Sequence, residues 1–535
     1  MSRRLLPLLL AVLTWTGRST AADEQKPQWI VVTAPAFKEV LTPLCDQRRA
    51  DGMRVVVVQS TDVLSARQIR DGDATALQEH IQKLCRQTTG PNYVLLVGAV
   101  RAADAATAEK IVVPPLVGSV GRMKGQPTDN GYGYRDKEPV PTAAVGRFPA
   151  RSEEDVRRMV EKTLTFERDR TPGAWRNRVT LLIGHPGGNS VSEKRYAELF
   201  IHQIVEARFD QVHPQWTCRC LNHASVSPFC VPDDRLREVS LRYVQEGQLF
   251  TLYLGHSGAD GFWSGGARFL DRDDWAKMKV PHGPGVLFSC GCFGCQLTGA
   301  GGEGYGLAAM RNPGGPVAFI GAHGETYGAM GQLASDGLLE CFGRAEPPAR
   351  LADYWLAAKA GLAKGKMDSF TFSMYDQADG SRGKVTMEVQ RAEHLEMWML
   401  LGDPALRLPV CPPAIGLATK DNVAAGKEIE VTGVLPPEFA RATVKLTVER
   451  PIGSKPIDLE VLPTDAEKAR KVMMANHERA NTAVFATAEV QPRDGRFRWK
   501  VKLPANLPWS RVTVRASAVT ETQMAIGVLV LPVGK

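Results

Sequence analysis

The sequence predicts an α/β protein with a β-sandwich at its carboxyl end, and three observations carry that prediction. Short apolar runs bounded by glycine alternate with helical stretches from Trp29 to Leu408, as in a parallel sheet flanked by helices. Two of those runs, residues 249–254 and 285–289, lead into residues with chemistry, His256 and Cys290. Beyond residue 414 polar and apolar residues alternate, with turns about every ten residues, which is the pattern of a sandwich.

In chain order, residues 1–22 read as a secretory signal: Arg3 and Arg4, a short apolar stretch broken by Pro7, then the small residues Ser19 to Ala22. That stretch is too short to span a bilayer, and no later run reaches the ~18 apolar residues a span needs. Residues 23–170 form a first α/β unit, with strands at 29–33, 54–58, 93–97 and 142–148 and a helix near 74–86. Ser152 then opens a long helix, with Glu153, Glu154 and Asp155 in the turn where the helix dipole favours acids. A second unit, residues 171–410, restarts with a strand at 179–183, a helix at 192–207 and the two strands leading to His256 and Cys290. A strand at 317–321 and a helical segment near 335–342 follow. Residues 415–535 are the sandwich, interrupted by a partly helical insertion at 464–483.

Composition narrows the function classes. With 535 residues the chain needs two to four domains, and 44% hydrophobic residues suit an ordinary globular interior. Removing Arg3, Arg4 and Arg18 with the signal takes the net charge from +8 to +5, scattered without basic blocks, which argues against a nucleic-acid partner. If Cys290 stays a free thiol, nine of the ten cysteines remain, so disulfides cannot account for all of them. Bridges are plausible within Cys218, Cys220 and Cys230, or among Cys292, Cys295 and Cys341.

An imidazole and a thiol at the ends of neighbouring parallel strands emerge at the same sheet edge, where α/β proteins gather functional groups. Taken singly, Cys290 reads as a buried hydrophobe and His256 as a strand cap. Their spacing of 34 residues fits one right-handed crossover between adjacent strands, and the pair together points to nucleophilic catalysis.

Gly255-His256-Ser257-Gly258 followed by a strand ending in Ser289-Cys290 resembles the caspase–gingipain clan of cysteine peptidases. The segments 141–149, 165–167 and 401–406 resemble its gingipain-type branch, over roughly residues 90–410. The resemblance implies a caspase/gingipain-like catalytic region of two α/β subdomains with parallel-rich sheets, followed by a C-terminal immunoglobulin-like β-sandwich. It also implies a Cys290 nucleophile, a His256 general acid/base and an oxyanion held by the backbone N–H groups of Ser257 and Cys290. Three features depart from the family pattern. Ser257 stands where glycine is usual, residues 184–188 lack the acid that orients the histidine, and Cys292 and Cys295 crowd the nucleophile. Glu193 falls where arginine-cleaving relatives keep a pocket acid, although Ser190-Val-Ser-Glu193 also reads as a capping box. Tyr327 falls near the position of an aromatic pocket wall.

Other motifs carry less. Cys290, Cys292, Cys295 and His323 are zinc-ligand types without the second distant pair of a zinc ribbon. Residues 299–304 fit a dinucleotide fingerprint in form, but they begin eight residues or more beyond the strand end. Asp403 reads as a turn former. The reading is thus a secreted, periplasmic or cell-surface cysteine endopeptidase acting on protein or peptide, with Cys290 and His256 as its dyad and a possible preference for basic P1 residues. No cofactor is expected; structural calcium stays open, without a motif for it in the sequence. The competing class is a catalytically silent scaffold that binds a partner.

Overall fold

The computed structural model describes residues 25–134, 138, 140–184, 195, 209–299 and 302–534. The signal segment, residues 185–188, Glu193 and, apart from residue 195, the helix expected at 192–207 fall outside the described residues. The first unit contributes strands β1 (Gln28–Thr33), β2 (Arg54–Gln59) and β3 (Asn92–Val97), a ribbon of β4 (Leu116–Val117) and β5 (Pro127–Thr128), and β6 (Ala143–Phe148). The second begins with β7 (Arg178–Ile183), β8 (Thr217–Asn222) and β9 (Gln248–Leu254). A small antiparallel sheet of β10 (His256–Gly258), β11 (Gly261–Ser264) and β12 (Ala267–Asp271) then leads to β13 (Pro284–Ser289), β14 (Ala318–Ala322) and β15 (Trp398–Leu401).

Strands of both units join in one ten-stranded sheet, ordered β2-β1-β3-β6-β15-β14-β13-β9-β7-β8. The joint is β15, antiparallel to β14 and parallel to β6 through the single pair Leu401–Arg147. Every other neighbouring pair is parallel. Helices cover the sheet, so its central strands are buried on both faces and read as continuous apolar runs: all seven residues of β9 are buried.

Local signals fix the elements. Ser152 caps the helix Glu153–Arg168, its Oγ accepting the Asp155 N–H at 3.2 Å, and Val156, Met159, Val160 and Leu164 form the buried face at helical spacing. The segment expected as a helix near 335–342 runs from Gly328 to Phe342. Its early glycines, which usually break helices, are here what lets it approach the sheet: a Cβ on Gly331 would lie 3.4 Å from the Cβ of Cys290. Three further helices, Leu351–Lys364, Ser369–Asp379 and Met387–Met397, fill a stretch for which the sequence reading predicted no element.

Beyond Cys411, β16 (Gly416–Thr419), β17 (Glu428–Val434) and β20 (Arg496–Lys502) form one antiparallel sheet. A second holds β18 (Val444–Glu449), β19 (Val484–Val490), β21 (Arg511–Val519) and β22 (Met524–Pro532). The polar–apolar alternation turns Phe497, Trp499 and Val501 inward against Val444, Leu446 and Val514 of the other sheet, giving a core separate from that of the ten-stranded sheet. The insertion is a helix, Ala466–Asn481.

Asp403 does more than form a turn. It accepts the Ala405 N–H at 2.9 Å, as a turn former does, but it is buried and also receives Arg48 and Trp29 Nε1 (3.0 Å). Arg48 donates to Asp403 Oδ2 at 2.9 and 2.7 Å and to Glu167 at 3.0 and 2.8 Å. Arg48→Met leaves two buried carboxylates without a counter-charge and is expected to cost about 3–5 kcal/mol in urea unfolding. A cost below ~1 kcal/mol would show that the network does not hold the fold.

Candidate active site

β9 and β13 are parallel neighbours in a register that pairs Tyr253 with Ser289 and Leu252 with Phe288. The chain leaves β9 into His256 and leaves β13 into Cys290, so both emerge at the carboxyl edge of the sheet. The crossover between them holds the small sheet β10–β12 and the short helix Arg272–Lys277. His256 is exposed and begins β10, paired with Trp263, and Ser257 is paired with Phe262. Tyr253, stacked on Phe262 at 3.7 Å, donates its hydroxyl to the carbonyls of His256 and Trp263 and pins the exit from β9.

Cys290 still belongs to the sheet. Its N–H donates to Tyr253 O at 2.9 Å, so the donor expected to hold an oxyanion is already engaged in the β9 ladder. Its thiol faces the helix Gly328–Phe342, 3.5 Å from Ser335 Oγ and 3.8 Å from Gly331 O. Burial there pushes the thiol up to about 12, with the Ser335 hydroxyl opposing the rise.

Two residues later the chain has left the strand. Cys292 Sγ accepts the Thr326 N–H at 3.3 Å and lies 3.5 Å from Thr326 Oγ1. Burial raises this thiol, the Thr326 donors lower it, and the carboxylates of Asp379 and Glu325 add to the rise. Asp379, at the end of the helix Ser369–Asp379, has its own carboxyl raised by burial, opposed by His256 and assisted by Glu325. Among the described residues, then, Asp379 is a carboxylate in electrostatic contact with His256, where the sequence at 184–188 supplies none. It lies 123 positions from the histidine in the chain, and no spacing rule points to it.

Ser257 and Gly291 are complementary. Ser257 Oγ donates to Cys292 O at 2.6 Å, and a Cβ on residue 291 would fall 2.2 Å from that oxygen. With serine after the histidine, only glycine fits between the two cysteines. Phe293, directly after Cys292, has φ of 59°, a left-handed conformation that is costly for a bulky residue.

Tyr327 caps the helix Gly328–Phe342, and its N–H donates to His394 Nε2 at 2.9 Å. One face of its ring is covered by the Arg122 guanidinium, 3.9 Å from the centroid, and Arg122 also pairs with Glu393 and Glu325. All ten cysteines are free thiols in this structure, and neither group in which bridges are plausible is bridged. Cys290, Cys292 and Cys295 point to Ser335, Thr326 and Met399 O respectively, away from one another. Among the described residues no group of three or more His, Cys, Asp or Glu is arranged to hold a metal. No helix among them is long and apolar enough to cross a membrane.

Two buried histidines support this edge as neutral rings. His323 Nδ1 accepts the Leu297 N–H at 3.1 Å, and burial lowers it to about 4. His394, which receives Tyr327, is lowered by burial to about 3. In the unfolded chain both take up a proton near 6.5, so the unfolded state binds more protons below that value. Their contribution to stability is full above pH 6.5 and is lost as the pH falls towards 4 and then 3, at up to about 1.4 kcal/mol per pH unit for each ring. Urea unfolding between pH 7.5 and 4 should show this slope, shallower in His323→Asn; an unchanged slope in the variant would exclude His323 as its source.

Comparison with known proteins bears on this edge. Solved structures with similar folds include the Arg-specific cysteine proteinase gingipain R (RgpB), at 16% identity and a TM-score of 0.51 over 96% of this chain and 99% of that one. The complex of Porphyromonas gingivalis RgpB pro- and mature domains gives 16% identity and a TM-score of 0.50, covering 95% and 100% of the two chains. A structure described only as a protease gives 13% and 0.51, covering 94% and 97%. No curated protein sequence matches the chain. Residues 22–409 match the profile of peptidase family C25. With that match spanning most of the sequence and a thiol–imidazole edge at its centre, the chain belongs to peptidase family C25, the gingipain-like cysteine peptidases.

Proposed function

We propose that this protein is a secreted endopeptidase that cleaves peptide bonds by thiol–imidazole chemistry at the carboxyl edge of β9 and β13. The observation that carries the reading is the parallel register of those strands, which supports a shared site for His256 and the Cys290–Cys292 segment. A thiol of that segment gives its proton to His256 and its sulfur attacks the peptide carbonyl carbon. As the C–N bond breaks, His256 returns the proton to the leaving amine, and an acyl-thioester remains. Water then gives a proton to His256 and its oxygen to the acyl carbon; the C–S bond breaks and the sulfur regains the proton. Asp379 and Glu325, the latter paired with Arg122, place acidic side chains near this edge, which supports a preference for a basic P1 side chain. Glu193 is the sequence's own candidate for that pocket.

The likeness in order of elements also supports an immunoglobulin-like identity for the seven-stranded sandwich and the boundaries 23–170, 171–410 and 415–535 for the units. A silent binding scaffold is the competing reading, favoured by the burial that raises both thiols. A peptide-library digest decides between them. Wild type should cleave, and His256→Ala should lose at least about 10³-fold in kcat/KM. Glu193→Gln should selectively depress cleavage after Arg or Lys. A wild type that cleaves nothing would leave the scaffold reading.

A further inference from the structure

Resting on that reading, we propose that the reacting thiol is Cys292, with Cys290 serving as a packing residue of the sheet. The register of the two strands is the first argument. Tyr253 lies opposite Ser289, and carrying the pairing forward one residue at a time sets Leu254 against Cys290 and His256 against Cys292. Cys290 is thus level with the last residue of β9, and Cys292, beyond the ladder, is level with the backbone of His256.

Hydrogen bonding makes the same distinction. The Cys290 N–H is spent on Tyr253 O and its thiol is directed under a helix, towards Ser335 and Gly331. Cys292 instead lies beyond the ladder. Its sulfur already accepts a backbone N–H from Thr326, and a donor of that kind stabilises a thiolate over a thiol. The segment that follows His256 is fastened to Cys292 itself, through Ser257 Oγ and the Cys292 carbonyl. Asp379 interacts with both Cys292 and His256, which puts the thiol and the imidazole in one electrostatic neighbourhood.

The backbone agrees. The turn that presents Cys292 is held by Gly291, where any side chain would strike Ser257, and by Phe293 in the left-handed region. Strain of this kind persists where the surrounding structure fixes a side chain for a purpose. In the reaction Cys292 Sγ forms the bond to the acyl carbon, its proton passing to His256 and on to the leaving amine, and hydrolysis of the thioester restores the thiol.

Alkylation of the full-length protein tests the assignment without a variant. Wild type is treated with limiting iodoacetamide across pH 5–10 and the modified cysteine is located by peptide mass spectrometry. Carbamidomethylation should fall first on Cys292, and His256→Ala should move its pH profile. In the library digest, Cys292→Ser should lose at least about 10³-fold in kcat/KM, while Cys290→Ser stays within about tenfold of wild type at an unchanged Tm. Labelling first at Cys290, with loss of cleavage confined to Cys290→Ser, overturns the assignment and leaves the peptidase reading standing. A wild type that cleaves no peptide but carries a His256-dependent label on Cys292 does the reverse: the reactive thiol is confirmed and hydrolysis is not its use.

Discussion

Arg48 is enclosed completely, and the junction of the molecule depends on how its charge is met. Taking a guanidinium out of water costs several kcal/mol unless every donor finds a partner. Here all five N–H groups do: Nε and Nη2 on Asp403, Nη1 and Nη2 on Glu167, and Nη1 also on Asp51. Burial opposes the charge, but Asp403 and then Glu167 outweigh it and hold the guanidinium above its ordinary value. The partners are Asp51, the C-cap of the helix Thr42–Ala50 that carries Arg48, Glu167 of the helix Glu153–Arg168, and Asp403 in the chain just after β15. β15 is the strand on which the two halves of the sheet meet, so this cluster fastens their joint. A second buried pair, Arg147 with Asp129, lies one strand away in β6. The segments that carry the family resemblance hold Arg147, Glu167 and Asp403, so their role is to charge-match a dry interior rather than to touch substrate.

With that joint fixed, the carboxyl edge of β9 and β13 is a rigid place to expose reactive groups. Hydrogen bonds from Tyr253 hold the exit of one strand, and the Ser289 hydroxyl, 2.9 Å from Tyr305 and receiving the Gly291 N–H at 3.2 Å, holds the exit of the other. The two exits are then tied by Ser257 to Cys292. Such double support restricts the side chains that follow to narrow positions, which is what preorganised chemistry requires. Its cost is visible in the thiols, which burial makes harder to ionise.

The far end of the sheet has a different need. β8 is an edge strand with backbone groups that would otherwise face outward. The insertion helix Ala466–Asn481 closes it: Asn481 accepts the Cys220 N–H at 2.7 Å and donates to Cys220 O at 2.9 Å. His477 is buried beneath, between the Tyr243 hydroxyl at 2.6 Å and Phe229 O at 2.8 Å. Arg515 of β21 adds bonds to Pro214 O and Glu449. An interruption of the sandwich pattern in sequence is thus the piece that shields the sheet.

The apolar runs at β1, β3, β9 and β13 and the cap at Ser152 were legible in the sequence because each depends on neighbours within a few residues. The alternation of β17 and β20 was legible for the same reason, as were His256 and the thiol-bearing edge. β8 was hidden by its cysteines, and the first turns of the helix Gly328–Phe342 by glycines whose value lies in close approach to Cys290. Asp379 reaches the site from a distant helix, so no local pattern announces it. The sequence by itself determined that a thiol and an imidazole leave adjacent strands, because period and spacing are properties of the chain. What surrounds each cysteine depends on register, on the ladder bond that holds Cys290 and on the collision that reserves residue 291 for glycine. Those are contacts between segments, and only the tertiary structure decides them.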